Sequence, residues 1–186
     1  MNVGFALCGS FCTYQQIFPI MESLSKQHQV IPIFSFAAGS VDSRFGTALA
    51  HLQIAREICN YEPIQTMEAA EPIGPKHMLD ALIIAPCTGN TLAKLAHSIA
   101  DTSVTMAAKS HLRNGRPVIV AVSTNDGLAG AAENIGKLLG KKHYYFVPFG
   151  QDDCNGKPTS LVADFAQIPR TLEEALQSKQ LQPVLI

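Results

Sequence analysis

The chain has 186 residues, with 14 Lys+Arg against 15 Asp+Glu and a formal net charge of −1. Charged residues make up 16% of it, against about 25% in an average soluble domain, and hydrophobic residues 47%; this excludes intrinsic disorder and predicts that a partner, copies of the chain included, covers part of the surface. No Lys/Arg block points to nucleic acid or an anionic membrane, and no apolar run reaches the roughly 18 residues of a membrane span.

Short apolar runs alternate with segments of helical period. Val3–Leu7 is the first expected strand. Thr13-Tyr-Gln-Gln16 reads as a capping box, and Ile17, Ile20, Met21 and Leu24 follow at helical spacing, with Pro19 predicting a kink or a late start. Val30–Phe36 is the second strand and 37–43 a loop, followed by a helix striped with Ala48, Leu52, Ala55 and Cys59. Pro63, Pro72, Gly74 and Pro75 make 62–76 mostly irregular, with at most one short strand. Ala81-Leu-Ile-Ile-Ala85 is a strand buried on both faces.

Leu92, Leu95, Ala96 and Ile99 stripe the next helix. Another is expected over 101–113, capped near Asp101 and ended by Asn114-Gly115. Pro117–Val122 is a fourth strand, Leu128, Ala132, Ile135 and Leu139 stripe a helix, and Tyr144–Val147 is a fifth strand. The loop at 148–160 is long enough to be functional. Thr171-Leu-Glu-Glu174 reads as a capping box opening a terminal helix, and 180–186 as an extended apolar tail.

This order predicts one α/β domain over 1–186: a three-layer, Rossmann-like (flavodoxin-like) open sheet, mostly parallel, with helices on both faces. Such sheets bind ligands at the carboxyl ends of their strands, where this chain has four polar loops. Gly9-Ser10 after the first strand is an ordinary turn or, with backbone N–H groups and a hydroxyl, a small phosphate cradle; the turn is the better reading of it alone. It is not a G-x-G-x-x-G, so a dinucleotide is poorly supported. Ser35 follows strand two, and alone reads as a solvated serine. Ala85-Pro-Cys-Thr-Gly-Asn-Thr91 follows strand three, with Thr88 as an N-cap, and Ser123-Thr-Asn-Asp126 follows strand four, with Asn125 or Asp126 as a cap. Together the four favour a cleft for a phosphate-bearing ligand.

The five cysteines (8, 12, 59, 87, 154) contain no C-x-x-C pair, so reduced thiols in a cytoplasmic chain are expected, with Cys87 a small apolar filler rather than a nucleophile. The chain opens on a strand without a basic leader, so no signal peptide is expected. The histidines show no pair spaced for a metal, and His77 reads as a surface residue. Arg44, Lys109 and Lys157 are the cations best placed to meet an acidic ligand.

Gly9-Ser10 together with Pro86-Cys-Thr-Gly-Asn-Thr91 resembles the flavoprotein family that includes phosphopantothenoylcysteine decarboxylase and the flavin prenyltransferases. The resemblance implies FMN, its phosphate on Gly9, Ser10 and Ser35, with Pro86, Thr88, Asn90 and Thr91 beside the flavin ring and substrate. Cysteine decarboxylases of the family carry a histidine before the third strand and a P-x-M-N-x-x-M-W stretch; this chain has Pro72 near the first, with His77 displaced, and Ala121-Val-Ser-Thr-Asn-Asp126 at the second. Decarboxylation of a cysteine substrate is therefore not expected.

Within the family, Arg44-Phe-Gly46, Glu71-Pro-Ile-Gly-Pro-Lys76, Met106-Ala-Ala-Lys109, Leu112-Arg-Asn-Gly115 and Tyr145-Phe-Val-Pro-Phe-Gly-Gln-Asp152 are similar to the dipicolinate synthase B-subunit branch, over nearly the whole chain. That branch implies oxidation of dihydrodipicolinate, or its hydrated precursor, to dipicolinic acid in the mother cell of a spore-forming bacterium. It also implies an A subunit with NAD(P) as partner, and homo-oligomers. Substrate would lie near Asn90 and Asn125, with Arg44, Lys109 or Lys157 on its carboxylates. A non-catalytic organising subunit with a vestigial flavin site, or a decarboxylase or prenyltransferase of the same family, are the alternatives.

Overall fold

The computed structural model describes residues 1–186. Five parallel strands form the body of the sheet: β1 (Asn2–Leu7), β2 (Gln29–Phe34), β3 (Ala81–Cys87), β4 (Val118–Thr124) and β5 (Tyr144–Phe146), in spatial order β2-β1-β3-β4-β5. All seven residues of β3 are buried, as expected for an apolar run flanked by strands and covered on both faces. Pro32 is accommodated in β2 because that strand lies at the sheet edge. The β3–β4 ladder runs from Leu82↔Val118 to Ile84↔Val120, skips Ala85-Pro86 and resumes at Cys87↔Val122; Pro86 has no N–H to give it.

Two short strands, β6 (Phe149–Gly150) and β7 (Leu161–Ala163), were not expected. β7 runs antiparallel to the end of β4, Ser123↔Val162 and Thr124↔Leu161, on the edge that β5 leaves free, and β6 pairs with β7. The segment expected as one long loop is thus pinned at both ends. The tail is extended and bonds its own chain: Phe149 N–H donates to Val184 C=O at 3.0 Å and Ile186 N–H to Phe149 C=O at 3.2 Å.

Helices α1 (Tyr14–Ser25), α2 (Phe36–Ser40), α3 (Ala48–Cys59), α4 (Met67–Ala70), α5 (Gly89–Ala96), α6 (Ser103–Leu112), α7 (Ala132–Leu139) and α8 (Ile168–Leu176) complete the fold. α1 and α8 lie on one face, α5, α6 and α7 on the other. The core is a cluster of 49 buried residues drawn from sheet and helices. No helix is long and apolar enough to cross a membrane.

Several local expectations are corrected. Pro19 lies inside α1 rather than delaying it, and Thr13 caps nothing: its hydroxyl donates to Ser10 C=O at 2.8 Å. The loop expected at 37–43 begins with α2, because Ser35 Oγ accepts from Ala38 N–H as an N-cap. α4 lies within the segment expected to be irregular, capped by Thr66. The cap of α6, expected near Asp101, is the next residue, Thr102, in a capping box with Thr105. α8 starts at Ile168 with Pro169 in its first turn, and Thr171 is buried inside it, its hydroxyl donating to Gln167 C=O at 2.8 Å. In α7 the buried apolar residues are Ile135 and Leu138, while Leu128 and Leu139 are exposed.

Candidate functional site

Parallel strands bring their carboxyl ends to one edge, and here the loops that follow β1, β2, β3 and β4 meet pairwise. Ser10 Oγ lies 2.7 Å from Ser123 Oγ, reaching from the β1 loop to β4 across the intervening β3. A Cβ on Gly9 would stand 3.2 Å from Ala37 Cβ, so the β1 loop and the first turn of α2 are in close contact. Thr91 Oγ1 donates to Cys8 Sγ at 3.3 Å, and Thr88 Oγ1 to Thr91 Oγ1 at 3.3 Å. Thr88 is the N-cap residue of α5 by position, but its side chain makes no cap bond. A Cβ on Gly89 would come 2.8 Å from both Asp126 Oδ1 and Thr124 Oγ1, so the absent side chain lets the β3 and β4 loops close on each other.

Gly9, Ser10, Ser35, Pro86, Thr88, Asn90, Thr91 and Asn125 therefore share one edge of the molecule. Pro86 and Thr91 are buried, Gly9, Ser10, Ser35 and Thr88 half-buried, and Asn90 and Asn125 exposed. Neither Asn125 nor Asp126 caps α7, which starts at Ala132; the Asp126 C=O accepts from Ala129 and Ala131 N–H in the turn that precedes it. The Asp126 carboxylate instead accepts from Thr124 Oγ1 at 2.5 Å and faces Gly89. Asp126 was legible only as a cap; its place opposite Gly89 depends on two loops that are distant in sequence.

Arg44 sits on a short turn built for rigidity. Ser43 N–H donates to Gly46 C=O and Gly46 N–H to Ser43 C=O, while Asp42 Oδ1 accepts from Ala48 N–H. Gly46 has φ +133°, and a Cβ there would come 2.7 Å from His51 Nε2. That buried imidazole lies 3.3 Å from Phe45 C=O and packs against Tyr14, Phe18 and Phe11. The exposed Arg44 guanidinium stacks 4.8 Å above the Phe45 ring. Lys157 is carried by the 148–160 loop, 3.5 Å from Asp152, and that loop is tied to the β4 loop where Thr159 Oγ1 donates to Asn125 C=O at 2.7 Å.

Lys109 is not brought to this group. It lies on the exposed side of α6 and lines a separate groove with Leu95, Leu112 and Tyr144. His77 is exposed just ahead of β3, at the opposite end of the strands. Cys87 is fully buried, and burial pushes its thiol well above the ordinary range; Cys8, also buried, is pushed up to about 11. Both stay thiols at neutral pH, so neither supplies a nucleophile.

The strand-end residues suit a flavin phosphate. Gly9 N–H makes no hydrogen bond within the chain, Ser35 Oγ accepts from Ala38 N–H and so keeps its own proton to donate, and the Ser10 and Ser123 hydroxyls stand together. These are neutral donors on tight, glycine-containing backbone, the kind of cradle that accepts a phosphate dianion.

A family model described as Flavoprotein matches residues 1–152. The dipicolinate synthase B subunit of Bacillus subtilis (strain 168) is 43% identical over 186 residues, covering 100% of this chain and 93% of that protein. The crystal structure of the dipicolinate synthase B subunit from Bacillus halodurans matches with a TM-score of 0.91 at 44% identity, covering 100% of this chain and 95% of that one. Burkholderia xenovorans DmrB in complex with FMN, a cubic protein cage for redox transfer, matches with a TM-score of 0.69 at 19% identity over 95% of this chain and 96% of that one, which shows a shared fold. The chain belongs to the flavoprotein family and is a homologue of the dipicolinate synthase B subunit.

Proposed function

We propose that this chain is the B subunit of a two-chain dipicolinate synthase, and that it binds FMN and the substrate at the strand ends. The observation that carries the reading is the joining of the β1 and β4 loops at Ser10 and Ser123, beside the Gly89–Asp126 approach, in a chain similar along its whole length to known B subunits of that enzyme. Aromatising a dihydropyridine dicarboxylate removes one hydride and one proton. A bound flavin supplies the two-electron acceptor.

The chain's residues do the rest. Gly9, Ser10 and Ser35 hold the phosphate, with Pro86, Thr88 and Thr91 shaping the floor. Asn90 and Asn125 orient the substrate ring by amide hydrogen bonds. Arg44 and Lys157 pair with the two carboxylates, Arg44 from a turn that needs no reordering. The Asp126 carboxylate accepts the proton. The loop at 148–160 borders the site beside Asn125, held there by the Thr159–Asn125 bond.

The proposed partners are an A subunit, which holds NAD(P), and further copies of this chain. Supporting both, Phe36 and Leu49 are 77% and 74% exposed, and Val41 and Phe45 lie beside them on the same stretch of chain. The proposed setting is the mother cell of a sporulating bacterium.

Those exposed apolar side chains also favour a second reading, in which the chain only organises its partner. Asn90→Ala in the assembled complex separates the two: loss of turnover with the assembly intact supports a catalytic share, and full turnover supports the scaffold.

A further inference from the structure

A groove of about 320 Å3 opens on the face of the sheet that carries α5, α6 and α7, between α5, α6 and the start of β5. Its apolar lining includes Leu95, Ile99, Leu112 and Tyr144. Its rim carries Lys109 and Arg113. These cations stand four residues apart on α6 and its C-cap, as Thr105 and Lys109 also do, so α6 turns one face to the groove. Neither Lys109 nor Arg113 forms an ion pair or a side-chain hydrogen bond within the chain, and both are exposed.

The groove is separate from the strand-end cleft. Tyr144 pairs with Val118, the first residue of β4, whereas Ser123 lies five residues further along the same strand, about 16 Å away at the rise of a parallel strand. Like charges one helical turn apart repel. A cation near a helix C-terminus is favourable by itself, but that does not explain an apolar lining beside two of them. An apolar slot with convergent charged groups at one rim is the form of a small-molecule site, and its volume fits one aromatic ring with a carboxylate.

We propose that this groove binds a small aromatic carboxylate, its ring on Tyr144 and Leu112 and its carboxylate between Lys109 and Arg113. The site does not depend on whether the strand-end cleft holds a flavin. A guanidinium and an ammonium together match a carboxylate that a neutral ring cannot replace.

The test is calorimetric titration of the full chain with benzoate, with pyridine-2,6-dicarboxylate and with neutral benzamide. Saturable binding of a carboxylate is expected, at least tenfold weaker in the Lys109→Ala/Arg113→Ala double variant and unchanged in Lys26→Ala, an exposed cation at the end of α1. Benzamide is expected to bind at least tenfold more weakly than benzoate. Weakening of both acids by the double variant identifies a general aromatic-acid site, and weakening of the dicarboxylate alone a site for the product of the proposed reaction. Absence of saturable binding by either acid, or equal binding by the double variant, overturns the proposal. So does a fall in sedimentation mass on Lys109→Glu/Arg113→Glu, which would make the groove a contact between copies of the chain.

Discussion

Ser10 Oγ and Ser123 Oγ, 113 residues apart in the chain, lie 2.7 Å from each other at the carboxyl edge of the sheet. The contact joins the β1 loop to β4 across β3. A part-buried hydroxyl pair of this kind is worth about 1 kcal/mol. A double-mutant cycle of Ser10→Ala and Ser123→Ala should show a coupling of that order in urea unfolding, and Ser10→Ala alone should weaken FMN binding about tenfold. Additive losses would mean that the two loops are held together by other contacts.

Asp126 is positioned by the absence of a side chain at Gly89. Asp126→Asn should lower turnover by about 100- to 10,000-fold, with the KM for the dicarboxylate changed little, as for a group that takes a proton in the transition state. Gly89→Ala should reproduce most of that loss, because its Cβ would come 2.8 Å from the carboxylate oxygen. Steady-state kinetics of the complete enzyme read both. A raised KM with normal turnover in Asp126→Asn would make Asp126 a binding residue instead.

Arg44 stands on a turn fixed by Asp42, Gly46 and His51. Arg44→Ala should raise the KM for the dicarboxylate at least tenfold while leaving the melting temperature nearly unchanged, since the exposed guanidinium stacks on Phe45 and forms no ion pair within the chain. His51→Ala should raise the same KM by loosening the turn, with a loss of stability as well, because it empties a space among Phe11, Tyr14 and Phe18.

His111 gives the fold a pH dependence. Burial holds its imidazole down to about 4, against 6.5 in the unfolded chain, while the ring sits 3.1 Å from Pro117 C=O. Between those values the unfolded chain binds the proton and the folded chain does not. The stability from the neutral ring is complete above pH 6.5, declines as the pH falls and is lost below about 4, an effect of about 3 kcal/mol. Urea midpoints at pH 7 and pH 5 should differ accordingly, and His111→Gln should flatten that slope.

The layout of the sheet was legible because β3 is an unbroken apolar run and because β1, β2 and β4 are each followed by a polar loop and a helical stripe. What was hidden falls into two kinds. Short elements leave too few residues for a period: α2 has five residues, β6 two and β7 three, and each is fixed by a cap or a ladder bond rather than by its own pattern. Tertiary approaches leave no local signal at all: nothing near Ser10 names Ser123, and nothing near Gly89 names Asp126. Lys109 stood out as a cation suited to an acidic ligand, but the turn of α6 directs it to a different groove.

Flavin binding by the purified chain is the most direct measurement. Titration with FMN should perturb the visible spectrum of the flavin to saturation at one equivalent per chain and raise the melting temperature, and both effects should weaken in Ser10→Ala. An unperturbed flavin spectrum and an unchanged melting temperature at saturating FMN would contradict a flavin site at the strand ends.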